Sequence, residues 1–216
     1  MHAGGDLRGV LCGFLTAAAS AGQSGRVTRW DGQLIAATPR LVLRTFRPDD
    51  LPLYAALNAD PEVYATLGGE PLSRQDSDDI AAWAEDLFAA EGIGLLAVER
   101  REDGAFVGMC GLHHQESYPD EVEVAWRLAH EHWGHGYATE AAAAAWLDRG
   151  FGRLGLRRII SITDPENHRS LAVMARLGME FDHAARIVDE GVQFDAVVFS
   201  ITADRWETTP RGGGRA

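Results

Sequence analysis

Cysteine is nearly absent from this chain. Cys12 and Cys110 are the two it has, far apart and without ligand-like spacing. A disulfide framework and a cysteine-built zinc site are therefore excluded, and no metal is expected. Such sparse cysteine fits a reducing compartment, so a cytoplasmic location is expected. Basic charge is also scarce: 20 Lys and Arg face 32 Asp and Glu, giving a formal net charge of −12. Nucleic acid would want a basic face, so no such partner is expected. An acidic chain suits a cationic or amine substrate. Between Asp49 and Glu91 the one basic residue is Arg74. That stretch reads as a solvated helical face or as an acidic rim that attracts amines. The apolar run within Arg8–Ala21 is too short to span a bilayer, and no membrane partner is expected. No internal repeat is visible.

What is present is enough for a proper core. Apolar residues make up 46% of the chain, and 216 residues fit one domain with an appendage. Residues 1–36, rich in Gly, Ala and Ser, form a poorly structured N-terminal extension in this reading. Arg8–Ala21 has a weakly basic lead and an Ala19-Ser20-Ala21 cleavage-like end, but Asp6, Gly13 and Thr16 interrupt a signal-peptide pattern. A signal, an extension and an over-long start all stay open. Residues 37–207 form the domain and 208–216 a flexible tail.

Along the domain, Arg40–Phe46 predicts a strand and Pro48-Asp49 starts a helix that Asp60-Pro61 breaks. Ile80, Trp83, Ala84, Leu87 and Phe88 recur at helical spacing and predict one buried face over Ser77–Glu91. Gly92–Arg100 and Ala105–His114 read as strands around an Asp-Gly turn. A loop follows over residues 115–121, then a third antiparallel strand ending Trp126-Arg127-Leu128. Tyr137–Phe151 predicts a helix closed by Gly150 and Gly152. Leu156–Thr163 is a strand, Asn167 opens a helix over His168–Leu177, and a closing hairpin ends the domain. The class is mixed α/β. The strand before the glycines and the strand after their helix should be parallel neighbours joined by a right-handed crossover.

The stretch HWGHGYATEAAAAAW (residues 132–146) puts two glycines before a helix. A helix N-terminus carries unpaired amides and partial positive charge, and glycines let an anion reach them. No Lys-Ser or Lys-Thr follows, which excludes a P-loop. Thr139 stands where the dinucleotide fingerprint needs its third glycine.

Trp133 to Ala138 resembles the Gln/Arg-x-x-Gly-x-Gly/Ala loop of the GNAT acyl-CoA N-acyltransferases, with Trp133 in place of Gln or Arg. The string W-G-x-G-Y-A-x-E-A through Ala141 is similar to that of the Rim-type ribosomal-protein alanine/serine N-acetyltransferase branch. RLVLRTFRPDDLPLYAALNADPEV resembles that branch's opening strand and helix, and PENHRSLAVMARLGMEF its N-x-x-S-x-x-x-M-x-x-L-G segment. The resemblance covers about Pro39 to Glu207.

It implies a central, mostly antiparallel sheet with one splayed parallel pair and helices on both faces. It implies acetyl-CoA as co-substrate, with no metal. The amides of Gly134, His135, Gly136, Tyr137, Ala138 and Thr139 would hold the pyrophosphate. The edge at Trp126, Arg127 and Leu128 would pair with the pantetheine amides. Asn167 would contact the same arm or serve as an N-cap. In many relatives a tyrosine protonates the leaving thiolate; Met174 occupies its position here, so the acid role passes to Ser170. Glu123 is the candidate base, directly or through water, or else a surface glutamate on an alternating strand. His113, His114 and Tyr118 are candidates for the substrate mouth. The function implied is transfer of acetyl to a primary amine by direct attack, in a monomer or homodimer. The acceptor would be a protein N-terminus or a small amine. The alternative is a non-catalytic acyl-CoA-binding sensor or interaction module.

Overall fold

Alternation along the central strands sets up two cores. A computed structural model describes residues 30–65, 71–189 and 192–209. In chain order it has β1 (Leu34–Ala37), β2 (Leu41–Arg44), α1 (Asp50–Ala59), α2 (Pro61–Tyr64), α3 (Arg74–Glu91), β3 (Leu95–Arg100), β4 (Phe106–Gln115) and β5 (Tyr118–Leu128). A short 3-10 turn (His130–His132) leads to α4, which starts at Tyr137–Glu140 and continues in wider π turns over Ala141–Leu147 and Arg149–Arg153. Then come β6 (Arg158–Thr163), α5 (His168–Arg176), β7 (Glu180–Asp189), β8 (Val192–Thr202) and α6 (Ala203–Thr208). The sheet order is β1-β2-β3-β4-β5-β6-β8-β7. Every pairing is antiparallel except β5 with β6.

Successive residues of a strand point to opposite faces. Leu96 and Val98 enter one core with Val124, Leu128, Trp146 and Met174. Leu95 and Ala97 enter the other with Tyr54, Leu57, Ile80 and Trp83. Thus α4 and α5 cover one face, α1 to α3 the other, and the expected mixed sheet with one parallel pair is present. The face foreseen for α3 is present too: Ile80, Trp83 and Ala84 are buried. The helix begins at Arg74 because Ser73 and Asp76 form a reciprocal capping box, and Gly92 in the left-handed region ends it.

Several expectations need correction. A strand, β1, lies almost wholly upstream of residue 37 and pairs with β2; residues 1–29, including the signal-like segment, lie outside the described residues. The loop expected over residues 115–121 is shorter, since β5 starts at Tyr118, where the Tyr118 hydroxyl meets His183 Nε2 at 2.8 Å. Gly150 and Gly152 do not end α4. A Cβ on Gly150 would lie 2.7 Å from Ile159 Cδ1, so that glycine is small to let the helix rest on β6. The helix stops before Gly155, whose φ is +68°. The short α6 was not foreseen.

Two buried polar networks frame the α1–α3 face. Arg44, 2% exposed, reaches both carboxylate oxygens of Asp50, Glu99 Oε2 at 2.8 Å and the Thr45 carbonyl. Glu85 receives the amides of Trp30 and Phe46, tying the chain before β1 to α3. Replacing Arg44 with Met strips the buried Asp50 carboxylate of its charged partner, while Glu99 keeps Arg47 at 2.6 Å. The expected loss is about 3–5 kcal/mol, read as a lower urea midpoint at an unchanged slope.

Candidate functional site

The β5–α4 segment builds the site. Strand β5 runs beside β6 for one registered pair, Glu123 with Ile160, and the strands then part. Two residues further along β6, the Ile162 amide donates to Glu123 Oε1 at 3.1 Å instead of extending the ladder. Because the Ala129 amide donates to Val107 of β4, odd-numbered β5 residues turn their backbone groups to β4. Trp126 and Leu128 therefore turn theirs toward the gap. Trp133 Nε1 donates to the Leu128 carbonyl at 2.8 Å, so the outward backbone of Trp126 and the Leu128 amide are what this edge offers.

Past the strand, Gly134 and Gly136 have φ of +79° and +78°. Only glycine takes that region without penalty. Those two turns lie in the loop just ahead of α4. The first bond of the helix is Glu140 N to the Gly136 carbonyl. None of the amides from Gly134 to Thr139 finds an acceptor among the described residues. The Thr139 hydroxyl is buried there, also without a partner among them.

A cleft of about 560 Å³ follows this edge and loop. All eleven residues expected at the cofactor line it: Trp126, Arg127, Leu128, Gly134, His135, Gly136, Tyr137, Ala138, Thr139, Asn167 and Ser170. Asn167 accepts from the Ser170 amide at 3.1 Å, so it does cap α5. Tyr137 is buried with Arg40 over its ring at 4.9 Å, so what it offers the cleft is its amide. Met174 is fully buried in the core.

Sequence reasoning missed a set of cleft and loop arginines. Arg169 lies over the Trp133 ring at 4.5 Å and lines the cleft with Arg176. Arg40 donates to the His135 carbonyl at 3.0 Å and to Glu140 Oε2 at 2.7 Å. Glu140 also accepts from Thr38 and from the Arg40 amide. Burial pushes its pKa up, but these bonds outweigh it and the net direction is down. Glu140 thus clamps α4 to the β1–β2 turn. Helical spacing places Arg169 and Arg176 on α5, but no spacing rule pairs Arg169 with a tryptophan from another element.

Glu123 is not a surface glutamate. It is 5% exposed and lies outside the cleft lining, at the point where the strands part. Burial pushes its pKa up to about 8, against the hydrogen bonds from Ile162 and Gln115. His113 is also buried, not a solvated loop residue. Its Nδ1 lies 2.8 Å from the His114 carbonyl, which only accepts, so Nδ1 carries the proton. Nε2 then faces Glu123 Oε2 at 3.5 Å. Burial pulls the His113 pKa down to about 4. Both groups are thus mainly neutral at pH 7, and the contact is not an ion pair. His114 pairs with Glu91 at 2.8 Å and Tyr118 with His183, and neither lines the cleft. Among the described residues, no cluster of His, Cys, Asp and Glu could hold a metal, and no helix is long and apolar enough to cross a membrane.

Comparison with known proteins agrees with this geometry. Residues 40–180 match the family model of the acetyltransferase (GNAT) domain. The Bacillus subtilis protein YkkB is 32% identical over 151 residues, spanning 69% of this chain and 87% of the relative. The N-acetyltransferase p20 of Bacillus licheniformis is 26% identical across 76% of this chain and 93% of its own length. Among solved structures, an acetyltransferase from Agrobacterium tumefaciens superposes with a TM-score of 0.67 at 29% identity, covering 82% of this chain and 99% of that one. At 20% identity, Mycobacterium smegmatis RimJ in complex with CoA-disulfide shares the fold with a TM-score of 0.61 over 82% of this chain and 91% of that one. A parting strand pair, a row of open amides and a matched family model lead to one statement: this chain belongs to the GNAT acetyltransferases.

Proposed function

We propose that this protein transfers acetyl from acetyl-CoA to a primary amine by direct attack. The observation that carries this reading is the run of unsatisfied amides from Gly134 to Thr139, opening onto the edge of a parted strand. Such amides suit a diphosphate, and the Thr139 hydroxyl adds one more donor. The outward groups of Trp126 and the Leu128 amide suit the amide-bearing pantetheine arm, which takes the place of a neighbouring strand. Arg169 and Arg176 bring positive charge to an otherwise acidic chain. Acetyl-CoA, once bound, supplies an activated acyl group on a thiol leaving group.

The residues then have to handle two protons. Glu123 takes the proton from the amine through water in the gap between β5 and β6. With its pKa near 8, about a tenth of the molecules hold it ionised at pH 7. That value also lies near the 7.7–8.0 expected of an α-amine, so proton exchange between them is nearly balanced. Ser170, on the cleft wall in the first turn of α5, gives a proton to the departing sulfur. Met174 cannot do this. The Rim-type likeness supports a protein N-terminus as acceptor, with small amines as the other class.

Gly136→Val should raise the dissociation constant of acetyl-CoA at least tenfold by calorimetry, because a branched side chain resists the left-handed backbone there. Gly152→Ala, whose added Cβ meets nothing within 4 Å, should leave binding unchanged. Ser170→Ala should lower turnover tenfold or more while sparing that affinity. The chain contains no lysine, so thiol release in these assays has no internal ε-amine acceptor.

Glu123→Gln should lower turnover about a hundredfold, in the range of a lost general base. It also has a readout independent of activity. A carboxyl whose folded pKa is raised adds stability that is complete below its unfolded value near 4.5 and is lost as pH rises through about 8. The melting temperature of Glu123→Gln relative to wild type should therefore climb between pH 5 and pH 9. His113 acts in the opposite sense, losing stability as pH falls from about 6.5 through about 4. A flat difference between pH 5 and 9 would show that Glu123 is ionised throughout.

A further inference from the structure

Two arginines among the described residues are buried in very different ways. Arg44 is saturated by two carboxylates and a carbonyl. Arg127 is also buried, 5% exposed, yet no carboxylate approaches it among the described residues. One nitrogen of its guanidinium donates to Asn58 Oδ1 at 2.6 Å, and Nε has no acceptor among the described residues. Asn58 is itself held in place, giving Nδ2 to Ser77 Oγ at 3.1 Å. A guanidinium has five donors in a planar fork and stays charged, so leaving it unpaired in a dry place is costly. Burial pulls its pKa down, partly offset by the neighbouring Tyr54.

Position tells what would complete it. Arg127 is an odd-numbered β5 residue, so its side chain faces α1, on the side opposite Trp126 and the α4–α5 core. Arg127 nonetheless lines the cleft, together with Val63 of α2 from the same side. The diphosphate and pantetheine are assigned to the loop and to the strand edge, so they do not reach this side chain. The ligand left for this side of the cleft is the second substrate. Resting on the acetyltransferase reading, we propose that the amine acceptor carries a carboxylate, and that Arg127, oriented by Asn58, is the specificity residue that binds it. This narrows the acceptor to the small-amine class, an amino-acid-like amine rather than a protein N-terminus, whose carboxyl is tied up in an amide; polyamines and aminoglycosides fit the site poorly because they bring only positive charge to a buried cation.

The test uses matched product-like probes, which remove any difference in amine pKa. N-acetyl-L-methionine and N-acetyl-L-methioninamide are titrated by calorimetry into the full chain with CoA present. The acid should bind wild type at least tenfold tighter than the amide, the range of a charge-assisted contact. Arg127→Met should bring the acid down to the level of the amide, and Arg127→Lys should keep part of the difference. Asn58→Asp provides the second variant. It puts a carboxylate where the guanidinium already points, needs no new fold, and should erase the preference for the acid. In turnover assays, alanyl and methionyl acceptors with a free carboxylate should outperform spermidine. Equal binding of acid and amide to wild type overturns the proposal, as does a preference that survives both Arg127→Met and Asn58→Asp. Failure of the broader reading looks different: CoA itself does not bind, while the acid–amide comparison run without it still reports on Arg127.

Discussion

The architecture depends on β5 and β6 lying side by side for one residue pair and then separating. A sheet that parts in its middle would leave backbone groups of both strands without partners, and such groups are costly away from water. Here two of the open groups have a local answer. The Glu123 carboxyl takes the Ile162 amide, and the Trp133 indole takes the Leu128 carbonyl. What stays open, at Trp126 and the Leu128 amide, faces the cleft. The gap is thus held apart by side chains already placed at its edge, and the same carboxyl that holds it is the group proposed to move a proton there.

Burial of Glu123 links stability to reactivity. A carboxyl kept from water prefers its neutral form, and its neighbour His113 is held neutral by the same burial. The pair therefore puts no net charge in the sheet at rest. The cost of ionising Glu123 is what brings it close to the basicity of an amine. A better-solvated carboxylate would be ionised more of the time but would be too weak a base to hold an amine's proton.

Much of this was legible in the residues because local physics dictates it. Two glycines ahead of an alanine-rich helix predict a turn into a helix N-terminus, and the structure gives both of them positive φ with open amides beyond. The alternating strands and the helical face at Ile80, Trp83 and Ala84 follow from period alone. What was illegible depends on tertiary packing. Gly150 looks like a helix stop but is a contact with β6. Strand β1 carries no strong pattern and exists because β2 offers it an edge. Glu123, two residues from Glu121 on one face, looked like half of a solvated pair. Glu121 instead binds Arg158 at 2.6 Å near the surface, while Glu123 lies buried beside His113. Alternation fixes the face of a residue but not the depth of what covers that face.

Electrostatics must serve two ligands of opposite sign in one cleft. A chain of net charge −12 repels an anionic donor at long range, beyond about a Debye length of 8–10 Å only weakly. Inside that distance local charge decides, and here Arg40, Arg169 and Arg176 gather around the loop that opens α4. Arg40 also offsets Glu140, the one acid in the first turn of that helix. The acidic α3, with Asp76, Asp78 and Asp79 near its start, lies on the other side of the sheet and draws cations toward the side proposed for the acceptor. Arg127 stands between these two fields, a buried cation on the acidic side that no described carboxylate pairs, unlike Arg44. An acceptor drawn in by its ammonium group would need an anionic group of its own to settle against it, so attraction and selection come from charges of opposite sign at different depths.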